Sequence, residues 1–167
     1  MKIKNIAYLV FAVLLSVTLA SCHKEKSRYQ QIEEFREGLT AEDTTQMLKL
    51  SDDCMELLKA KKINDALSML YEYNDSLKSV EPLGAGTKQQ YERRFKMFPV
   101  LEYQRDYFSF QLQGLNDVKY KVKFAIEEHP EVNGEAITAF MFNPVKIDGT
   151  WYLTVKKGDQ EFDRTKN

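Results

Sequence analysis

A long stretch of helical periodicity begins after Thr40. Asp43 follows three positions later, which is close to a capping box with Asp in place of the usual Glu. Apolar residues then recur at spacings of three and four, at Met47, Leu50, Cys54, Leu57 and Leu58. This spacing places them on one face and predicts an amphipathic helix over about 41–60.

A second helical pattern follows the basic stretch Lys61-Lys62-Ile63. Asn64 is predicted to cap this helix, since its side chain can accept a hydrogen bond from the first turn. The two helices would then form a hairpin. The buried face of the second would consist of Ala66, Leu67, Leu70, Tyr73 and Leu77.

A third helix is predicted between two chain-breaking segments. Pro82 and the stretch Gly84-Ala85-Gly86 interrupt the preceding pattern. Residues 87–97 can form a helix that ends before Pro99, because the residue preceding a proline disfavours the helical conformation.

The apolar period changes from 3.6 to 2 at about Tyr107, which marks the start of the strands. Phe108, Phe110 and Leu112 alternate with polar residues, and residues 114–117 predict a turn. The next alternation is the clearest in the chain and predicts a half-buried antiparallel strand. Its apolar face comprises Val118, Tyr120, Val122, Phe124 and Ile126, and its polar face comprises Lys119, Lys121, Lys123 and Glu127.

The last strands are predicted from a two-sided apolar run and a turn signal. Residues 135–142 are apolar on both faces, which predicts a central strand covered on both sides. Pro144 has no N–H group for the ladder and predicts a bulge or bend. Two short runs, 145–147 and 150–155, flank Asp148-Gly149, a pair typical of a type I′ hairpin.

Residues 1–21 have the three parts of an export signal. Lys2 and Lys4 precede an apolar run from Ile6 to Ala20, and small residues follow. The run has fifteen residues, whereas a helix needs about 20 to cross the hydrocarbon of a bilayer. A cleaved signal is therefore predicted rather than a permanent transmembrane helix.

The end of this signal, Leu19-Ala20-Ser21-Cys22, resembles the lipobox of bacterial lipoproteins. The resemblance implies cleavage before Cys22, acylation of that residue, and attachment to a membrane of the bacterial cell envelope through the lipid. An ordinary signal peptide that contains a cysteine is the alternative. His23 stands where Asp is associated with inner-membrane retention in enteric bacteria, and this favours the outer membrane.

The predicted mature chain has 146 residues, with 22 basic and 25 acidic side chains. This length fits one domain, and the near-neutral charge argues against a nucleic-acid partner. Cys54 is the only other cysteine once Cys22 is lipidated, which excludes an intrachain disulfide. Cys54 is instead predicted to be a small buried hydrophobe on the first helix.

The charged residues 22–39 are predicted to form a tether that passes into a short amphipathic helix. Their larger apolar side chains, Tyr29, Ile32, Phe35 and Leu39, recur at helical spacing. A disordered stalk is the alternative, because this composition buries little surface. Residues 40–157 would form a single domain, and residues 158–167 a frayed tail.

Helices followed by strands predict an α+β domain, in which N-terminal helices pack on one face of a curved antiparallel β-sheet. The stretch 62–70 (KINDALSML) and the hairpin 145–153 (VKIDGTWYL) resemble the second helix and last two strands of the nuclear transport factor 2-like fold. That fold is a cone of helices and strongly bent sheet, and the resemblance covers about residues 41–157. A cystatin-like domain is the alternative.

Motifs for metal or catalytic sites are missing from the sequence. The two histidines, His23 and His129, are isolated, and no Cys-x-x-Cys occurs, so no metal site and no cofactor are predicted. The pairs Asp52-Asp53 and Glu127-Glu128 are predicted to be solvated. Enzymes with the resembled fold use an acidic or histidine base inside the cone. The inward strand positions predicted here are apolar, so no catalytic residue is predicted.

The aromatic-rich segment 91–110 is the predicted binding surface, together with one inward tyrosine of the next strand. Aromatic faces beside arginines suit sugars, peptides or anionic ligands alike. Packing in the core is the alternative for these aromatic residues. The predicted ligand-binding residues are Tyr103, Arg105, Tyr107 and Tyr120.

The sequence therefore favours a membrane-anchored envelope lipoprotein whose domain binds a small ligand or an envelope protein without catalysis. Two alternatives stay open: a small hydro-lyase or isomerase that uses an internal pocket of the cone, and a structural envelope component. A buried Asp, Glu or His facing an enclosed pocket would favour the enzyme. An exposed apolar patch over a filled core would favour partner binding.

Overall fold

The structure is a computed structural model that describes residues 26–126, 129–130 and 136–156. The chain divides into two compact units, residues 1–31 and residues 32–167. The helices are α1 (Arg28–Glu37), α2 (Ala41–Lys59), α3 (Ile63–Ser68) and α4 (Ala85–Met97). The strands are β1 (Leu70–Asn74), β2 (Ser79–Pro82), β3 (Val100–Ser109), β4 (Asp117–Phe124), β5 (Ile137–Ile147) and β6 (Thr150–Val155). The predicted signal, Cys22, Glu127-Glu128 and the predicted tail lie outside the described residues.

Helix α1 occupies the charged segment that was open to two interpretations, a helix or a disordered stalk. Its side chains at Ile32 and Phe35 are half-buried, and Leu39, just beyond the helix, packs against the core. Arg36 Nε donates a hydrogen bond of 2.7 Å to the backbone oxygen of Phe110. The helix is therefore joined to the chain segment that follows β3.

Helix α2 confirms the predicted helix and its cap. Asp43 N donates to Thr40 Oγ1 at 3.2 Å, and Thr40 N donates to Asp43 Oδ2 at 2.9 Å, which completes the capping box. The helix contacts β6 and β3. Its buried apolar side chains are Met47, Cys54, Met55 and Leu58, whereas Leu50 and Leu57 lie at the margin of the core. As predicted, Cys54 is a buried hydrophobe, and burial raises the pKa of its thiol to about 12.

The second helix is much shorter than predicted. Helix α3 ends at Ser68, and its cap is Lys62 without a side-chain hydrogen bond, so the predicted Asn64 cap is wrong. The predicted second half of the helix is strand β1. Tyr71 and Tyr73 suit a strand, and Leu70 and Tyr73 are both buried, on opposite faces of it. Leu77, expected in the core, lies in the following turn and is 69% exposed.

All six strands form one sheet, in the order β2-β1-β6-β5-β4-β3. Neighbouring strands are antiparallel except β1 and β6, which pair in parallel through Leu70 with Leu153 and Tyr71 with Thr154. The predicted α+β class is confirmed, but the sheet is mixed rather than antiparallel throughout. Because α4 and four strands lie between β1 and β6 in sequence, the chain has the long crossover that a parallel pair requires.

Strand β3 begins at Val100, seven residues before the predicted change of period. Its inward side chains include Tyr103 and Arg105, whose polar groups concealed the alternation in the sequence. The register with β4 shifts between Arg105 and Tyr107, so that Asp106 is the extra residue of a β-bulge. After the bulge Phe108 takes the inward position, opposite Val118. Phe108 therefore points inwards as predicted, although it is 43% exposed at this end of the strand.

Strand β4 has the predicted alternation, and β5 differs from its prediction at two points. Ile137 is 64% exposed, so β5 is not covered on both faces along its length. No bulge occurs at Pro144, because the register with β6 continues through it. Pairing with β4 stops at Phe142, so Pro144 lies where β5 has a strand on one side only. On its other side, backbone groups of β5 bind two side-chain amides instead of a strand. Asn116 Nδ2 donates to Pro144 O at 2.9 Å, and Lys146 N donates to Gln113 Oε1 at 3.0 Å.

The last hairpin is confirmed as predicted. Asp148 and Gly149 have φ values of 48° and 81°, the paired positive angles of a type I′ turn. Trp151, two residues further on, is 8% exposed. The turn therefore directs a large aromatic ring from β6 into the core.

Candidate functional site

Three groups of residues along α2 are candidates for a functional site. The first lies at the middle of the helix, where it meets the sheet. Asp52 and Glu56, one helical turn apart, face Tyr103 and Arg105 of β3 and Tyr120 of β4. Tyr120 Oη donates to Asp52 Oδ1 at 2.7 Å, and Tyr103 Oη donates to Glu56 Oε1 at 2.5 Å. Arg105 forms an ion pair with Asp52. These five residues are called the tyrosine–carboxylate cluster below.

Both tyrosine hydroxyls of the tyrosine–carboxylate cluster have acceptors within the cluster, whereas Arg105 Nε is buried without a hydrogen-bond partner. Burial raises the pKa of Tyr103, and the hydrogen bond to Glu56 adds to the effect. Burial likewise raises the pKa of Tyr120, with a further contribution from its bond to Asp52. Both hydroxyls therefore stay protonated at neutral pH and act as donors. The rings of the two tyrosines meet edge to face, 5.6 Å apart between centroids.

The structure brings together three of the four residues that the sequence nominated for ligand binding. Tyr103, Arg105 and Tyr120 share the face of the sheet that meets α2. Tyr107 lies on the opposite face, where the ammonium of Lys119 is 5.6 Å from its ring centroid. The bulge at Asp106 causes this separation, because one extra residue moves each later side chain of β3 to the other face.

The two carboxylates of this cluster, Asp52 and Glu56, were not among the residues nominated from the sequence. Asp52 was expected to be solvated with its neighbour Asp53, but Asp52 is held by Tyr120 and Arg105. Asp53 does face solvent, in an exposed pair with Lys49. The four-residue spacing of Asp52 and Glu56 places both on one helix face, which was the available signal.

The second grouping is a buried network at the N-terminal end of α2, called the Asp43 network. Asp43 is 5% exposed and accepts hydrogen bonds from Thr40 N at 2.9 Å and Trp151 Nε1 at 3.0 Å. The same carboxylate forms an ion pair with Lys146 of β5. The bond to Lys146, followed by that to the Thr40 backbone, holds the pKa of Asp43 well below its ordinary range.

The third grouping is an open cleft at the C-terminal end of α2, with a volume of about 350 Å³. Apolar side chains form its floor and two lysines stand at its rim, so it is called the lysine-rimmed cleft. Its lining residues are Leu58, Lys61, Ile63, Phe95, Lys96, Pro99 and Val100. Concave apolar surface with a few polar groups is the usual composition of a small-molecule site.

The backbone at Lys61 is unusual for a lysine. Lys61 N donates to Leu58 O at 3.0 Å and Lys62 N donates to Leu57 O at 2.8 Å, the two bonds of a Schellman motif that ends α2. Lys61 is the residue of this motif in the left-handed region, with φ of 59°. Glycine is the common residue there because it has no Cβ to strain.

A second, more polar cleft of about 240 Å³ lies between α4 and the end of β6. Its lining residues are Glu72, Tyr73, Thr87, Gln90, Tyr91, Val155 and Lys156. Tyr91 Oη donates to Lys156 O at 3.1 Å, and the Lys156 ammonium forms a buried ion pair with Asp117. The paired lysine and the polar lining make this cleft the weaker candidate for an apolar ligand.

The described ranges, 26–126, 129–130 and 136–156, contain neither a cluster of metal-ligating side chains nor a membrane-spanning helix. No group of three or more His, Cys, Asp or Glu side chains in these ranges is placed to hold a metal ion. No helix within them is both long and apolar enough to cross a membrane.

Comparisons with known proteins assign this chain to no family. Neither a protein-family model nor a curated protein sequence matches the chain. A solved structure that matches is from Campylobacter jejuni and is described provisionally as an NTF2-like transpeptidase. The match covers 65% of this chain and 96% of that one, with 12% sequence identity and a TM-score of 0.38. The description agrees in name with the resemblance seen in the sequence, but a match at this score establishes neither family nor activity.

Proposed function

We propose that this protein is a lipid-anchored module of the bacterial cell envelope, and that its domain binds a small ligand in the lysine-rimmed cleft without catalysing a reaction. The anchor would be the acylated Cys22, and the outer membrane is the favoured location. The observation that carries the binding role is the cleft itself, which combines open volume with an apolar floor.

The tyrosine–carboxylate cluster supports a binding role over an enzymatic one. A general base needs to lie within hydrogen-bond reach of the bound substrate. Asp52 already accepts from Tyr120 and is paired with Arg105, while Glu56 accepts from Tyr103. The cluster also lies outside both clefts described above. Its geometry suits the joining of α2 to β3 and β4.

The anchor has a direct test in cells of a bacterial host. Labelling with a radioactive fatty acid should mark the wild-type chain and leave Cys22→Ala unlabelled, because the thiol is the proposed acylation site. Cys54→Ala is the matched control and should retain the label, since Cys54 is buried. Label that persists in Cys22→Ala would overturn the proposed anchor.

The binding role is tested by filling the cleft. The probe is the neutral fluorescent dye phenylnaphthylamine, added to the full chain carrying Cys22→Ala, which cannot be acylated at that position. Ile63→Trp should abolish dye binding, because Ile63 lines the cleft. Ile137→Trp adds the same ring at an exposed position of β5 and should leave dye binding unchanged. Absence of binding to the unfilled cleft, or equal effects of the two variants, would contradict the proposal.

A further inference from the structure

We infer that the ligand of the lysine-rimmed cleft is a free single-chain amphiphile with an anionic head group. The head would lie between Lys61 and Lys96, and the alkyl chain would cover the apolar floor. This inference rests on the proposed binding function and names the class of ligand.

The apolar lining and the volume of the cleft favour a ligand with a single alkyl chain. Leu58, Phe95 and Val100 belong to the core and are almost fully buried. Ile63 and Pro99, the other apolar lining residues, are half-buried and present apolar surface to the cleft. Transfer of a hydrocarbon chain from water onto such a surface is favourable. A volume of about 350 Å³ is near the lower end for ligand pockets, which favours one chain over a two-chain lipid.

The lysines at the rim of the cleft favour a ligand with a negatively charged head group. Lys61 and Lys96 both line the cleft, and Glu92 is the acidic residue paired with Lys96, at 2.5 Å. That pair is exposed, with 63% of the lysine and 36% of the glutamate side chain accessible, so water screens it. Lys59 and Lys62 are exposed near the same helix end. The rim is therefore net positive, and lysines attract carboxylate, sulfate or phosphate alike because they act as point charges.

The backbone of Lys61 is a second, independent observation. A glycine at this Schellman position would relieve the left-handed strain, yet the position holds a lysine whose side chain borders the cleft. Residues in strained backbone conformations are expected at functional sites, because the function of the side chain offsets the loss of folding stability. A lysine at a helix C-terminus also interacts favourably with the helix dipole, so the two roles need a test that separates them.

The first measurement compares four ligands of equal chain length by displacement of phenylnaphthylamine from the full chain carrying Cys22→Ala. Decanoate and decyl sulfate should bind about tenfold more tightly than decanol, and decyltrimethylammonium should bind most weakly, because only the anions pair with the rim. Added salt should weaken decanoate binding and leave decanol binding unchanged. Equal affinity for decanoate and decanol would overturn the anionic head while leaving the binding function intact.

The second measurement uses two lysines in the same strained backbone region. Lys61→Gly should weaken decanoate about tenfold and leave decanol unchanged, while raising the thermal midpoint by relief of strain. Lys78→Gly is the matched control: Lys78 has φ of 50°, lies in the β1–β2 turn and does not line the cleft. It removes the same charge and should leave decanoate affinity unchanged. Equal decanoate affinities in the two variants would overturn the role of Lys61.

A third measurement separates a free amphiphile from a membrane surface. Vesicles of anionic phospholipid should not compete with the dye, because a two-chain lipid embedded in a bilayer cannot enter the cleft. Competition by vesicles without competition by decanoate would overturn the proposed ligand in favour of a membrane headgroup. If the dye binds neither the unfilled cleft nor any variant, the proposed binding function fails together with this inference.

Discussion

The two ends of helix α2 are built in opposite ways. At the N-terminal end, Asp43 is buried and receives hydrogen bonds from the helix cap, a strand lysine and a tryptophan ring. At the C-terminal end, Lys61 stands in a strained conformation beside an open apolar cleft. The first end has polar groups whose partners all come from the chain. The second end has apolar and charged surface that the described residues leave uncovered.

This difference separates structural polar groups from candidate functional ones. A buried polar group is costly unless it is hydrogen-bonded, so a closed network such as that of Asp43 is explained by the fold. The half-buried apolar lining of the cleft and the lysine in the left-handed region beside it are not part of such a network. The tyrosine–carboxylate cluster, midway along α2, is partly open but internally paired, and so resembles the N-terminal end.

The largest expected effect is the loss of the Asp43 carboxylate. Asp43→Ala leaves the Trp151 indole and the Lys146 ammonium without their partner. We expect a loss of about 2–4 kcal/mol in the free energy of unfolding, below the full range for buried pairs because Lys146 is 28% exposed. Chemical denaturation measures it. Asp53→Ala, in an exposed pair, is the control and should change stability by less than about 0.5 kcal/mol.

The same network predicts a pH dependence of stability. The folded pKa of Asp43 is depressed, so its contribution is complete above the unfolded pKa of about 4. The contribution is lost as the pH falls through that value towards the folded pKa. The stability difference between wild type and Asp43→Asn should therefore shrink between about pH 5 and pH 2. A difference that stays constant over this interval would show that the carboxylate is not charged in the fold.

A smaller effect is expected at the β5–β6 turn, which positions two of the partners of Asp43, Lys146 and Trp151. Gly149→Val should cost roughly 1–2 kcal/mol, because φ of 81° strains a residue with a Cβ even where space is open. Gly86→Val is the control, since Gly86 lies in α4 with open space and ordinary φ. Thermal unfolding of the two variants compares them. Equal midpoints would argue against the type I′ turn.

The smallest effect is expected in the tyrosine–carboxylate cluster. Tyr120→Phe removes one hydrogen bond but leaves Asp52 paired with Arg105, so a loss of about 1 kcal/mol is expected. Tyr107→Phe, on the opposite face, should be neutral. Phenylnaphthylamine binding should be unchanged in both variants. Loss of dye binding in Tyr120→Phe alone would make the cluster, rather than the cleft, part of the ligand site.

Local signals in the sequence predicted the elements that local interactions determine. The cap at Thr40, the alternation of β4 and the Asp148-Gly149 turn each need only neighbouring residues, and all three are confirmed. The residues of strand β1 fit the helical period of 3.6 as well as the strand period of 2, so the sequence predicted a helix there. Its parallel pairing with β6, about eighty residues away, decides between them.

The candidate site was harder to predict because it joins distant segments. The lysine-rimmed cleft combines residues 58–63 with residues 95–100, and neither segment carries a motif. The nominated Tyr107 was separated from Tyr103 by a single bulge, which sequence alternation cannot reveal. Asp52 appeared solvated because its partners lie about fifty to seventy residues further along the chain.

The bulge in β3 also bears on how copies of this protein behave when crowded together. Strand β3 forms one edge of the sheet, and an unpaired edge of ten residues is a template for aggregation with a second chain. The extra residue at Asp106 breaks the regular spacing of hydrogen-bonding groups, and Glu102 and Gln104 add polar side chains along the strand. The opposite edge, β2, is four residues long and ends in Pro82. Both edges are thus poor partners for edge-to-edge association between copies of this protein.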